Sequence, residues 1–389
     1  MNGFLPVEGF KQISSIFVKR KIMYFICSVC EKDLKELPRP LGLCECGKPL
    51  EVHYLWENQQ RSIDINDDEA TLWRYKTVLP EVKNFVSLGE GHTPLIPIGE
   101  NLFVKDETVN PTGSFKDRGM ALAITMAKVQ GVQQICLPSA GNAGVSASAY
   151  CKEAGIECYV FLPETIPDEF KKETEKYDAK LTLAGQTISD AAKEMIKNKE
   201  EQWFDISTLK EPFRVEGKKT LGYEIAEQLG WEFPDVIIYE TGGGTGLIGM
   251  WKAFIEMQNL GWVKGKLPRM VAAQSDGCAP VVTAFQNLDK TTKFWENSST
   301  IALGLNVPGP LGGAWILNVL YESNGIALSV PESELLDLTK EFNELTNLNA
   351  SAEAGVVWGA YHSLVNRNWI HPKESVVLFA TGIERCKFK

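Results

Sequence analysis

The sequence predicts an α/β protein built from two lobes of open, parallel or mixed sheets, with a small appendage at the N-terminus. Three observations predict this fold. Strand-like and helix-like runs alternate from about residue 135 onward, which is the pattern of parallel sheets covered by helices. The chain has 389 residues, more than one ordinary domain contains. Two pairs of cysteines precede the alternating region.

The alternating elements can be assigned in order from their apolar runs and the turn residues between them. The expected strands are 135–137, 157–162, 180–183, 236–239 and 270–274. The expected helices are 145–154, 168–177, 187–199, 219–229 and 247–257. A connector is expected at 53–85, loops or insertions at 259–269 and 285–300, and an N-terminal extension without a clear fold at 1–22.

Composition and charge argue against several classes of function. Lys and Arg number 40 and Asp and Glu number 50, so the net charge is −10 and general binding to nucleic acid or to a membrane surface is not expected. No apolar run is long enough to span a bilayer, and the N-terminus lacks a secretory pattern. The nine cysteines are odd in number and scattered, which favours a reducing compartment. We therefore expect a cytoplasmic protein.

Lys116 is the first candidate for chemistry. It follows residues 110–115 (NPTGSF) and precedes an apolar run at 120–129, so a loop should cap a helix here. In the first turn the amine lies at the positive end of the helix dipole, which lowers its pKa. Because only a neutral amine attacks an aldehyde, the position suits a Schiff-base lysine. A solvated surface lysine is the alternative if the segment is considered alone.

Two further loops lie between predicted strands and helices. Residues 139–144 (SAGNAG) contain Asn142, and residues 241–246 (TGGGTG) contain three consecutive glycines. Backbone N–H groups of such a glycine loop can converge on an anion at a helix N-terminus, and a phosphate is the usual occupant. The loop is not a Walker motif, because no Gly-Lys-Ser/Thr follows. A lysine, an asparagine loop and a phosphate cradle at three helix starts are more specific together than any one alone.

With these motifs in place, the sequence resembles the fold-type II pyridoxal-phosphate enzymes, of the tryptophan synthase β kind, and within them the threonine synthases. The resemblance runs from about residue 87 to residue 382. It implies pyridoxal 5′-phosphate as the cofactor, a large cofactor-binding domain at 56–118 and 206–389, and a small α/β domain at 119–205. Members of the family often form homodimers, although the sequence itself marks no interface. The segments that carry the resemblance are 87–95 (SLGEGHTPL), 110–119 (NPTGSFKDRG), 139–144 (SAGNAG), 214–220 (RVEGKKT), 242–246 (GGGTG) and 380–382 (ATG).

The resemblance also implies roles for individual residues. Lys116 would bind the cofactor covalently and act as the catalytic residue. Asn142 would hydrogen-bond the phenolic oxygen of the ring, and Thr381 would face the pyridine nitrogen. A hydroxyl rather than a carboxylate at that position leaves the nitrogen mostly unprotonated, which favours elimination and replacement chemistry. The cofactor phosphate would be held by Gly242, Gly243, Gly244, Thr245 and Gly246.

The threonine synthase reaction would convert O-phospho-L-homoserine and water to L-threonine and phosphate. The Lys116 amine would move protons at Cα, Cβ and Cγ of the substrate. The substrate phosphate requires a second anion site, and Arg214 and Lys218 are four residues apart, so both can project from one helical face. The candidates for this site are Ser114, Arg214 and Lys218, with Arg118, Lys171 and Lys172 as further cations.

Two departures from the family pattern leave other functions open. The loop at 139–144 replaces the more usual Gly-Asn-Thr-Ser version, and Glu384 replaces a glycine of the usual ending. A serine/threonine ammonia-lyase would need no second phosphate site, whereas a sulfur-adding synthase that uses O-phosphoserine would keep one. A zinc-ribbon interaction protein with a degenerate enzyme body is the non-enzyme alternative, and the intact Lys116, Asn142 and glycine loop argue against it.

The module at 23–55 resembles a small zinc ribbon. Four thiolates would hold a structural zinc ion in a tetrahedral site, without an open position for chemistry. The second cysteine pair is tighter than the usual Cys-x-x-Cys, so His53 is a substitute ligand and four free thiols are the alternative. The expected ligands are Cys27, Cys30, Cys44 and Cys46.

Overall fold

The computed structural model describes residues 22–34, 42–56 and 63–385, so the expected extension lies outside it except for its last residue. The strands are β1 Ile22–Cys27, β2 Asp33–Leu34, β3 Leu50–Leu55, β4 Leu95–Pro97, β5 Leu102–Asp106, β6 Gln134–Pro138, β7 Glu157–Leu162, β8 Lys180–Leu183, β9 Phe204–Asp205, β10 Val236–Glu240, β11 Arg269–Ser275, β12 Ile326–Val330 and β13 Val376–Ala380.

The α-helices alternate with these strands along most of the chain. They are α1 Lys116–Val129, α2 Asn142–Ala154, α3 Asp168–Glu175, α4 Ile188–Asn198, α5 Phe213–Lys218, α6 Thr220–Gln228, α7 Thr245–Asn259, α8 Pro280–Gln286, α9 Gly313–Glu322, α10 Leu335–Thr346 and α11 Ala352–Asn366. Short 3₁₀ helices occur at Leu72–Val78, Glu107–Val109, Leu303–Leu305 and Glu332–Glu334.

The described strands form three sheets. The appendage contains an antiparallel sheet in the order β2-β1-β3. A parallel sheet in the order β8-β7-β6-β9 forms one lobe, and a sheet in the order β12-β11-β10-β13-β5-β4 forms the other. The larger sheet is parallel except for β4, which pairs antiparallel with β5. The predicted α/β fold of two open sheets and an N-terminal appendage is therefore confirmed.

Two helices begin earlier than the sequence predicts. Helix α2 begins at Asn142 rather than at 145, and α7 begins at Thr245 rather than at 247. The N-cap of α7 is Gly244 with φ +80°, a conformation that glycine adopts without a steric penalty, so the chain turns directly from strand to helix. As a result, Asn142 and Thr245 lie in the first turns of their helices.

The appendage packs against helix α5. The rings of Phe25 and Phe213 meet edge to face with centroids 6.2 Å apart. The Tyr54 hydroxyl donates a 2.5 Å hydrogen bond to Glu216 Oε2, and Lys219 Nζ lies 2.8 Å from the same carboxylate oxygen. Apolar residues of the appendage share a core cluster with helices α1 and α2. The small module is thus joined to the two-lobed body by buried contacts.

A buried ion network secures helix α1. Arg118 donates to both oxygens of Glu107 at 2.7 Å and to Glu224 at 2.8 and 2.9 Å, and Lys105 donates to Glu224 at 2.6 Å. All four side chains are fully buried. The proposal that Arg118 could bind a substrate phosphate is therefore wrong, because two carboxylates already neutralise its charge inside the core.

Replacing Arg118 with Met should destabilise the protein by about 3–5 kcal/mol, because Glu107 and Glu224 would stay buried without their main cation. Urea denaturation followed by tryptophan fluorescence measures the change. Lys340→Ala is the matched control, since its 3.9 Å pair with Glu344 is exposed and should contribute little. Equal stability of the two variants would contradict the role given to the network.

Candidate active site

The two lobes enclose a cavity of about 360 Å³. Lys116, Asn142, Thr381 and the glycines Gly242 to Gly246 all contribute to its walls. These residues come from strand ends and helix starts, where ligands bind in open α/β sheets. The volume lies within the range of small-molecule and cofactor sites. The structure thus brings together the Lys116 and Asn142 loops and a glycine loop that lies 100 residues or more further along the sequence.

Lys116 is the first residue of α1, and its amine faces the cavity. Its Nζ lies 3.9 Å from the centroid of the Phe115 ring. Burial, together with the nearby Arg214 guanidinium, lowers the pKa of Lys116 to about 8. The amine therefore has an appreciable neutral fraction near neutral pH, as a lysine that attacks an aldehyde requires.

The glycine loop links β10 to the N-terminus of α7. A Cβ atom on Gly242 would lie only 2.7 Å from the carbonyl oxygen of Gly304, so a larger residue cannot occupy this position without a shift of the backbone. Thr245 begins α7, and its hydroxyl accepts a 2.7 Å hydrogen bond from Lys218 Nζ. Backbone N–H groups, a helix N-terminus and a lysine next to it suit a bound phosphate.

Asn142 is held in place by a residue that the sequence reasoning did not assign. The Nε of Arg385 donates to Asn142 Oδ1 at 3.2 Å, and the Arg385 guanidinium also donates to the carbonyl of Thr112. Because the amide oxygen accepts this hydrogen bond, the amide nitrogen is the group of Asn142 that remains to donate. The sequence did contain a signal for Arg385, because the segment after Thr381 departs from the usual ending of the family.

Arg214 and Lys218 lie on α5 and both line the cavity. Glu211 begins this helix by accepting the N–H groups of Phe213 and Arg214 at 2.8 Å. Arg214 Nη1 donates to the Ile206 carbonyl at 2.8 Å, and Lys218 Nζ lies 4.6 Å from the Phe115 ring that also contacts Lys116. Burial lowers the pKa of both cations, and for Lys218 the charges of Arg214 and Lys116 add to the effect.

The remaining phosphate candidates lie elsewhere. The Ser114 hydroxyl is buried with no hydrogen-bond partner among the described residues; the Ser114 backbone pairs with Gly382, and neither residue contributes to the cavity wall. Lys171 forms a 2.9 Å ion pair with Asp168. Neither Lys171 nor Lys172 contributes to the wall. Of the sequence candidates, only Arg214 and Lys218 face the cavity.

Glu240 is a second cavity residue that the sequence reasoning missed. It is the last residue of β10, and its carboxyl group is buried against the cavity. The pKa of Glu240 is raised to about 8, mainly by burial. The nearby Thr381 hydroxyl and Lys116 amine act in the opposite direction and lower the pKa, but their effect is smaller than that of burial. The sequence could have indicated this residue, because Glu240 is the one charged residue of strand β10 and lies immediately before the glycine loop.

The four cysteines of the appendage form one cluster, with all four sulfur atoms within 4.8 Å of one another. Cys27 Sγ lies 3.5 Å from Cys46 Sγ, and Cys30 Sγ lies 3.7 Å from the sulfurs of Cys44 and Cys46. A tetrahedron of thiolates about 2.3 Å from zinc has edges of about 3.8 Å, so the spacing fits that metal. His53 is not part of the cluster; its Nε2 lies 3.1 Å from Glu51.

A family described as pyridoxal-phosphate dependent enzyme matches residues 86–382. The chain belongs to this family. The resemblance found in the sequence is thereby confirmed, and the protein is a pyridoxal-phosphate dependent lyase. The cavity fits the cofactor, because a lysine of lowered pKa and a glycine-rich helix start meet on its walls. No helix within the described ranges is long and apolar enough to cross a membrane.

Curated relatives extend the likeness over most of the chain. The threonine synthase of Methanocaldococcus jannaschii is 32% identical over 374 residues, which cover 92% of this chain and 91% of that protein. The threonine synthase of Methanosarcina acetivorans is 29% identical over 349 residues, covering 87% and 86%. A similar solved structure is the L-serine ammonia-lyase of Rhizomucor miehei, with a TM-score of 0.65, 19% identity and coverage of 77% and 95%. At that identity the solved structure supports the fold alone.

The rate at which the cofactor-free protein incorporates pyridoxal phosphate should rise about tenfold per pH unit below pH 8 and level off above it, because the neutral fraction of Lys116 limits the reaction. The absorbance change on mixing measures this rate. Arg214→Gln should move the bend to higher pH, since it removes a cation that lowers the pKa. Lys171→Ala should leave it unchanged. A rate that still climbs steeply at pH 10 would contradict the lowered pKa.

Proposed function

We propose that the protein is a threonine synthase-like lyase that converts O-phospho-L-homoserine and water to L-threonine and phosphate. The observation that carries this proposal is the pair of buried cations, Arg214 and Lys218, on the wall of the cavity that contains Lys116. The glycine loop can serve the cofactor phosphate, which leaves the guanidinium for a second anion. The names of the curated relatives support the same substrate.

Each residue would act at a definite atom of the substrate. Bound pyridoxal phosphate supplies an electron sink that makes the C–H bonds of an attached amino acid acidic. The Lys116 amine would accept a proton from Cα and move protons at Cβ and Cγ. Arg214 would hold the phosphate that leaves Cγ, since a guanidinium binds phosphate through two parallel N–H donors. Water would then add at Cβ.

The deciding experiment is a phosphate-release assay with O-phosphohomoserine, run beside threonine and O-phosphoserine. We expect phosphate and threonine from O-phosphohomoserine only, and no product with Lys116→Ala. Arg214→Met should lower kcat/KM for O-phosphohomoserine by roughly 10- to 100-fold, the loss expected for a hydrogen bond to a charged group. Lys171→Ala is the surface control. A keto acid formed from threonine, or sulfide-dependent turnover of O-phosphoserine, would favour the alternative functions instead.

We also infer that the four-cysteine cluster binds one structural zinc ion. The support is the sulfur spacing, which matches the edges of a zinc–thiolate tetrahedron, and the position of all four ligands on one small antiparallel module. The set Cys27, Cys30, Cys44 and Cys46 leaves no coordination position for substrate. The metal would therefore hold the module together and take no part in catalysis.

Metal analysis of the purified protein should give about one zinc ion per chain, because four thiolates fill a tetrahedral site. Cys44→Ser should lose most of the zinc and should lower the melting temperature. Cys278→Ser is the control, since this buried cysteine lies outside the cluster and its variant should keep the metal. A wild-type protein that is purified in zinc-containing medium and carries no zinc would refute the inference.

A further inference from the structure

Glu240 is a cavity carboxyl group for which the proposed reaction has no role. Neither of its oxygens has a hydrogen-bond partner of good geometry among the residues that the structure describes. A buried carboxyl group without a well-aligned hydrogen-bond partner is costly, and on a cavity wall a bound ligand can supply that partner. Glu353, on the same cavity, differs in this respect: its Oε1 accepts the Gly304 N–H at 2.6 Å.

The sheet places Glu240 beside Thr381. Strands β10 and β13 are parallel neighbours, with Val236 opposite Val376 and Ile237 opposite Val377. Continued in the same register, Glu240 comes level with the last residue of β13, and Thr381 is the next residue along the chain. Two polar side chains thus leave the ends of adjacent strands and enter the same cavity.

The other walls of the cavity account for three polar atoms of the cofactor. The aldehyde belongs at Lys116, the phosphate at the glycine loop and the phenolic oxygen at Asn142. The pyridine nitrogen then remains, and it lies across the ring from the carbon that carries the aldehyde. Thr381 was expected to meet this nitrogen, and the strand register brings the Glu240 carboxyl group to the same place.

We propose that Glu240 shares a proton with the pyridine nitrogen of the bound cofactor and so holds the ring as a pyridinium. In this transfer the O–H bond of the carboxylic acid breaks and an N–H bond to the ring forms, with no other reactant. The resulting Glu240 carboxylate would then accept a hydrogen bond from the positively charged ring nitrogen. The earlier expectation of a mostly unprotonated nitrogen opposite a hydroxyl is then replaced by a charge-assisted hydrogen bond.

The charges around Glu240 are consistent with this transfer. At neutral pH the raised pKa leaves the group largely protonated, so it has a proton to give. Glu353 is the acidic neighbour that favours the protonated form, whereas Lys116 and the Thr381 hydroxyl favour the carboxylate. A bound pyridinium would add a further positive charge and would shift the balance to the carboxylate, as the proposal requires.

A pyridinium withdraws electrons more strongly than a neutral pyridine ring. The Cα–H bond of a bound amino acid would therefore be more acidic than in a site that offers only a hydroxyl. The role of Glu240 depends on the family cofactor and not on the proposed substrate. The Glu240 inference and the proposed reaction can therefore each be wrong without affecting the other.

The test uses holoenzyme reconstituted with pyridoxal phosphate that carries ¹⁵N in the ring. We expect the ¹⁵N chemical shift of a pyridinium in the wild type and that of a neutral pyridine in Glu240→Gln, which keeps the shape and removes the acid. Glu353→Gln is the matched control and should retain the pyridinium signal. A neutral-pyridine shift in the wild type would overturn the proposal, as would a pyridinium shift that persists in Glu240→Gln or disappears in Glu353→Gln.

A second measurement does not require the Glu240→Gln variant to fold. The 1-deaza analogue of pyridoxal phosphate has carbon in place of the ring nitrogen and cannot accept the proton. The wild type should bind this analogue roughly 10- to 100-fold more weakly than pyridoxal phosphate, the range for a hydrogen bond to a charged group. In Glu240→Ala the difference should shrink to a few-fold. Equal binding of the two compounds by the wild type would overturn the proposal.

Discussion

The ion network around Arg118 fixes the geometry on which the site depends. Arg118 lies two residues after Lys116, in the same turn of α1, and its guanidinium joins Glu107 to Glu224 inside the core. Both carboxylates are supplied by segments outside α1, so the start of the helix cannot rotate without breaking charged contacts. The catalytic role proposed for the Lys116 amine would require such a rigid base, because a misplaced reacting group loses much of its advantage.

Basic and acidic residues of the cavity lie on different secondary-structure elements. Arg214 and Lys218 are on α5, whereas Glu240 and Glu353 come from the end of β10 and from α11. The lysine lies among them and is influenced by both kinds of charge: Arg214 lowers its pKa, and Glu353 and Glu240 raise it. Burial is the largest effect, so the amine stays well below the usual pKa of a lysine. A single ligand in this cavity could therefore contact cations that bind an anion on one side and carboxyl groups that exchange a proton on the other.

Local motifs made part of this site predictable from the sequence. Lys116, Asn142 and the glycine loop each sit at a helix start whose signal is contained within about ten residues. Other contacts join distant parts of the chain. Arg118 meets Glu224 across 106 positions, which is why its charge was mistaken for a free one. Arg385 meets Asn142 across 243 positions, and the burial of Glu240 depends on the pairing of β10 with β13. A linear pattern does not contain these pairings.

The packing of the appendage against α5 limits how far the chain can be shortened from its N-terminus. Tyr54 and Phe25 contact a helix of only six residues, and Arg214 and Lys218 of the same helix line the cavity. A chain trimmed to begin after the cysteine module would expose Phe213 to water and leave Glu216 without its phenolic donor. The module is therefore packed behind one wall of the cavity, and we expect its removal to disturb that wall.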